Sequence, residues 1–138
     1  MVQPTGGAPA AFDHAVLACH SDQTLAMLGD PSKEETDILS AIRYQANDAV
    51  LHTDASLLPR RRAAWAGWNY HKPLEKSDRV TVTYHMNTLQ RLPVQTPLCV
   101  TLNETEAIDP GKIIARMNYH HPVYTPAAFT AQARWAAI

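Results

Sequence analysis

A chain of 138 residues with 46% hydrophobic and 18% charged residues has the length and composition of one globular domain, or of one domain with part of another. The net charge of −1, from 12 basic and 13 acidic residues, argues against a general nucleic-acid binder, whose phosphate contacts demand a basic excess. No apolar run approaches the about 20 residues of a membrane span, and no charged start leads into an apolar signal segment, so the expected location is the cytosol.

The first eleven residues, rich in Pro, Gly and Ala, read as a flexible lead-in. Residues 14–20, His-Ala-Val-Leu-Ala-Cys-His, form a short apolar run of the kind expected of a buried strand. Ser21 is placed to cap a following helix with Leu25 and Leu28 on one face and Gly29 as its stop. A second helix opens at Pro31-Ser32. Ser32 and Glu35 have capping-box spacing, and Ile38, Leu39 and Ile42 supply its apolar stripe.

Beyond Arg43 the period shortens to two. Strands are predicted at 49–53, 63–70, 79–86, 98–103 and 113–119. In the third, Val80, Val82, Tyr84 and Met86 alternate with Thr81, Thr83 and His85. In the fourth, Leu98, Val100 and Leu102 alternate with Cys99, Thr101 and Asn103. Five such strands predict an antiparallel meander with one polar face. Thr125 and Pro126 mark the cap and first turn of a last helix carrying Phe129, Ala133 and Ala136 and running to the end of the chain. Both ends read as cut from something longer. The expected class is α+β, a mostly antiparallel five-stranded sheet covered by helices, with the strand at 14–20 belonging to a missing domain.

The chemistry-bearing motifs are few. There is no G-x-G-x-x-G, no G-x-x-x-x-G-K-[ST] and no G-x-S-x-G, and Gly6-Gly7 precedes no helix. Cys19 and Cys99 form no C-x-x-C pair and read as buried thiols. His120 and His121 are adjacent and point to opposite faces of a strand, and His14 and His20 are about 20 Å apart on an extended chain, so no metal site is predicted. His52 and Asp54 share a strand face and have the spacing of an acid–base or ligand pair, although packing or a hydrogen bond at the following turn accounts for them as well. Arg60-Arg61-Arg62 follows Pro59 and reads as a solvated corner. Trp65, Trp68, Tyr70 and Tyr84, with Asn69 and Asn87 as polar handles, either wall an apolar pocket or form sheet core.

Several strings carry a family resemblance. Residues 12–20 look like the passage by which amine-oxidase-type flavoproteins re-enter their FAD domain, and residues 42–54 look like the passage into their substrate domain. More specific are His52-Thr53-Asp54-Ala55-Ser56-Leu57-Leu58-Pro59-Arg60, Ala64-Trp65-Ala66-Gly67-Trp68-Asn69-Tyr70, residues 82–90 and Tyr119-His120-His121-Pro122-Val123. Together they resemble a bacterial branch of FAD-dependent amine-oxidase-like proteins (predicted NAD/FAD-binding oxidoreductases), related to monoamine oxidase and protoporphyrinogen oxidase. The likeness runs from about Phe12 to the end of the chain.

That resemblance implies a lead-in at 1–11, a strand-helix remnant of an FAD-binding domain at 12–30, and a substrate domain at 31–138 truncated at its C-terminus. It implies FAD in the intact protein, none held by this chain alone, and a hydride taken from an amine or another reduced carbon. Trp68, Tyr70, Tyr84, His85 and Asn87 are the residues it places against substrate. His85 departs from the aromatic residue expected there. No residue stands out as acid or base, and none matches the family's flavin-gripping elements. The implied partners are a small-molecule substrate, the missing FAD domain of the same polypeptide, and a second copy through the exposed domain interface, with neither nucleic acid nor membrane. The competing reading is a free-standing small-ligand or protein-interaction module without redox activity. A third, a metal-dependent enzyme built on His52 and Asp54, ranks last.

Overall fold

The structure, a computed structural model, describes residues 1–72 and 79–138. The chain divides into two compact units: residues 1–43 with 122–138, and residues 44–121.

The first unit is helical. α1 (Ser21–Met27) starts one residue earlier than the sequence suggests, because His20 takes the cap position and its backbone N–H donates to Gln23 Oε1 at 3.3 Å. α2 (Lys33–Ser40) carries the predicted capping box: Glu35 N–H donates to Ser32 Oγ at 3.1 Å, and Ser32 N–H donates to Glu35 Oε2 at 2.7 Å. Two orphan amides are satisfied reciprocally, a device that typically contributes about 1 kcal/mol. Ile38 is the buried residue of α2, which packs against α1 and against α4 (Pro126–Gln132).

Thr125 caps α4 through a 3.1 Å bond from Ala128 N–H, with Pro126 at the first position. The helix does not run to the end of the chain. It stops at Gln132 and gives way to a single 3-10 turn, Trp135–Ala137. Its buried positions are Ala128 and Ala131, and Phe129 is exposed, so the packed stripe is offset from the predicted one.

Residues 14–20 are also a correction. They form no strand, and Val16 is 91% exposed. A strand needs a neighbour to take its N–H and C=O groups. Among the described residues this unit supplies only one isolated bridge, Val2 to Ala10.

The second unit is built on five strands: β1 (Tyr44–His52), β2 (Trp68–His71), β3 (Thr81–His85), β4 (Cys99–Leu102) and β5 (Ile113–Pro122). Four of the predicted strands are present with shifted ends, and the one expected at 63–70 begins only at Trp68, because Arg62–Ala64 form a 3-10 turn. The sheet is antiparallel in the order β2-β3-β4-β1-β5. It is not a plain meander. β1 is inserted beside β4, and β5 returns to its far side.

Register brings His52, Cys99 and His85 into one row across β1, β4 and β3. Val50, Thr101, Thr83 and Asn69 form the next row across four strands. Directly opposed residues share a face, so these side chains all point one way. Leu57, Ile108 and Val50 cluster there with Ile113, and Leu58 is buried nearby. The side that alternation predicts as polar and solvated is therefore a buried side: Thr83, Thr101, Cys99 and His52 are all 0% exposed. On the opposite face Ala49 and Val82 are buried too, while Leu51, Val100 and Leu102 are half-buried.

Asp54 fixes the chain leaving β1. Its carboxylate accepts from Ser56 N–H at 3.1 Å, Asp109 N–H at 2.9 Å and Lys112 Nζ at 3.2 Å, binding the turn after β1 to the turn before β5. Between β3 and β4 lies a short helix, α3 (Met86–Gln90), which ends in a left-handed Arg91 at φ 52°. No helix among the described residues is long and apolar enough to cross a membrane.

Candidate functional site

The five residues expected to line a substrate pocket separate into three groups. Trp68 on β2 lies directly opposite Tyr84 on β3, and Tyr70 is two residues along β2 on the same face. Trp68 is 64% and Tyr70 58% exposed, and Tyr84 is half-buried. These three make an open aromatic wall.

His85 points the other way. Its ring meets Trp65 edge-on at 4.9 Å, and its Nδ1 shares a 2.8 Å hydrogen bond with Thr88 Oγ1. Burial and then the Arg62 charge hold His85 below its ordinary pKa. Asn87 faces neither side of the sheet. Its amide donates to the carbonyls of Val94 and Thr96 at 3.0 and 2.9 Å, and its Oδ1 accepts from Leu98 N–H at 2.7 Å. Asn87 thus shapes the β3–β4 connection and has its polar atoms already engaged.

The buried face holds a hydrogen-bonded chain that the sequence did not announce. Asp54 N–H donates to His52 Nδ1 at 3.1 Å, which leaves the ring proton on Nε2. His52 Nε2 then donates to Thr101 Oγ1 at 2.8 Å, and the Thr101 hydroxyl shares a further hydrogen bond, also 2.8 Å, with Thr83 Oγ1. Burial lowers the His52 pKa against the opposing pull of Asp54. For Asp54, burial by itself would raise the pKa. The Asp109 and Ser56 amides and the Lys112 ammonium outweigh it and hold the carboxyl well below the usual carboxylate range.

His52 and Asp54 therefore touch through the backbone of one and the ring of the other, not ring to carboxylate. Both are committed to structure. Cys99, between His52 and His85 in the same row, invites comparison with a Cys–His nucleophile. Its thiol is enclosed, and burial, helped by the Asp54 charge, pushes its pKa up to about 11, which keeps it protonated and inert. Cys19, expected to be buried, is exposed and hydrogen-bonded to Thr24 Oγ1 at 3.2 Å. Among the described residues no group of three or more His, Cys, Asp or Glu side chains is placed to hold a metal ion.

A second polar network closes one end of the sheet around Asn103. This residue follows β4 in the left-handed region at φ 58°, a conformation that asparagine tolerates better than most residues. Its amide donates to Asn47 Oδ1 at 2.7 Å and Val80 O at 2.9 Å, and its Oδ1 accepts from Asp48 N–H at 3.2 Å. Asn47 in turn donates to His121 Nδ1 at 3.1 Å, joining β5. Beside this rivet a cleft of about 410 Å³ opens among Asp48, Arg79, Asn103, Glu104, Thr105 and Glu106. Glu104 also pairs with His71 at 2.9 Å. The one trace of this network in the sequence is an asparagine at a strand end, a turn-prone position.

No family model matches the chain, and no curated protein is similar to it.

Proposed function

We propose that this chain is the substrate-binding portion of an FAD-dependent oxidoreductase of the amine-oxidase type, active when joined to an FAD-binding domain of the same polypeptide. The observation that carries this reading is the exposed wall of Trp68, Tyr70 and Tyr84 on one face of an antiparallel sheet. Large flat side chains that also carry a polar group suit a small, largely apolar molecule held beside a planar ring.

The residues fit a wall alongside a flavin rather than a grip on one. No described glycine-rich turn opens a helix to take a pyrophosphate. In this reading the flavin supplies the capacity to accept a hydride from a reduced carbon. The chain supplies shape: Trp68 and Tyr84 orient the substrate, and Tyr70 limits water at one side. No residue of the wall is placed as an acid or base.

The test is a visible absorption spectrum of two purified proteins, this chain and the full reading frame around it. A flavin band in the longer protein alone supports the proposal, and absence of flavin from both sinks it. The second reading, a ligand-binding module without redox activity, is favoured by the polar cleft beside Asn103. It gains if neither protein holds flavin and a ligand perturbs the amides of residues 103–107.

A further inference from the structure

Residues 59–65 form a corner of dense positive charge with an internally hydrogen-bonded backbone. Arg60, Arg61 and Arg62 are consecutive and exposed, and among the described residues no acidic side chain lies within ion-pair distance of any of them. Like charges on neighbouring residues repel, and among the described residues no counter-charge relieves them. An ordinary solvated corner leaves such side chains on a loose backbone.

This backbone is tied. Trp65 Nε1 donates to Pro59 O at 2.8 Å, Ala64 N–H donates to Arg61 O at 2.9 Å, and Trp65 N–H donates to Arg62 O at 3.1 Å. The Arg62 guanidinium is also held over the Trp65 ring, 5.4 Å from its centroid, and Trp65 is braced by His85 on its other contact. Stacking occupies one face of a guanidinium and leaves its edge, where the N–H donors lie, free to bind. Part of the conformational cost of ordering the Arg62 side chain and the backbone that carries all three arginines has thus been met before any ligand arrives.

We infer that the Arg60-Arg61-Arg62 corner, braced by Trp65, is a binding site for the phosphate groups of a small soluble molecule. Arginine forks match phosphate oxygens in pairs, and three adjacent forks suit one or two phosphates rather than a long polyanion. The net charge of −1 weighs the same way, because a nucleic acid or an anionic bilayer is attracted by a broad basic surface. This site does not depend on the flavin reading, and its test uses a different readout.

The experiment titrates inorganic pyrophosphate into the ¹⁵N-labelled chain, following the Trp65 indole N–H and the amides of residues 60–62. Chloride at matched ionic strength is the control. The expected result is a saturable shift of these signals with pyrophosphate only, weakened about tenfold or more in R60Q/R61Q. The double variant keeps Arg62 on Trp65 and alters exposed side chains only, so the fold survives, and R91Q/R116Q controls for loss of two charges elsewhere. An equal response to chloride, or full binding by R60Q/R61Q, overturns the site. Response to anionic phospholipid vesicles or single-stranded DNA without response to pyrophosphate overturns its assignment to a small molecule.

Discussion

Replacing Thr101 by valine tests the buried hydrogen-bonded chain most directly. Thr101 accepts from His52 Nε2 and shares a hydrogen bond with Thr83 Oγ1, each at 2.8 Å, in a position with no exposure at all. Valine keeps the shape and removes both contacts. His52 Nε2–H is then left buried without an acceptor, and Thr83 Oγ1 loses its partner on β4. An orphaned buried polar group costs about 1–3 kcal/mol, so Thr101→Val is expected to cost about 3 kcal/mol. That is a large share of the 5–15 kcal/mol typical of a domain (roughly).

Thr83→Val removes only the far end of the chain and is expected to cost about 1–2 kcal/mol. The double variant should cost less than the sum of the two, because Thr83 is no longer there to be orphaned. The assay is urea unfolding followed by far-UV circular dichroism at about pH 8, where an ordinary histidine is neutral. A Thr101→Val midpoint matching wild type with unchanged slope, or strict additivity in the double variant, would refute the coupled chain from His52 to Thr83.

Three further outcomes are expected. Arg91→Gly should raise stability by about 0.5–1 kcal/mol in the same assay, since glycine adopts the left-handed end of α3 without strain. Unfolding free energy should fall as pH drops below about 6.5: His52 and His85 have lowered pKa values in the fold, so the unfolded chain takes up protons first. A second loss should come below about pH 4, where unfolded carboxyls protonate before Asp54. Asp54→Asn should flatten that acid limb in a pH series while lowering stability at neutral pH. Trp68→Ala, at an exposed position, should move the urea midpoint by under about 0.5 kcal/mol. In the flavoprotein proposed above it should raise KM for substrate, and a large stability loss would mark Trp68 as core instead.

Local rules written in the sequence are what survive in the fold. Ser32 with Glu35, and Thr125 with Pro126, open helices as their spacing predicts, because a cap is satisfied within four residues and needs no distant partner. Strict alternation at 79–86 and 98–103 likewise marks strands, since a period of two suits only extended chain. Residues 14–20 show the limit of that reasoning. Their composition suits a strand, but strand formation depends on a neighbour that composition cannot supply.

The larger decisions belong to tertiary structure. Alternation separates Thr81, Thr83 and His85 from Val82 and Tyr84 but says nothing about which set is covered. Segments far apart in sequence cover the threonine side, with Leu57 and Ile108 brought together over Val50. A face of Thr, His and Cys tolerates that burial because register sets Thr101 opposite Thr83 and diagonal to His52, so the histidine and both threonines meet partners. The same register gathers Trp68, Tyr70 and Tyr84 into one wall and turns His85 away from it. Residue type thus marked the strands of the sheet and the caps of α2 and α4. Strand pairing, a non-local matter of hydrogen-bond partners, decided which side chains meet.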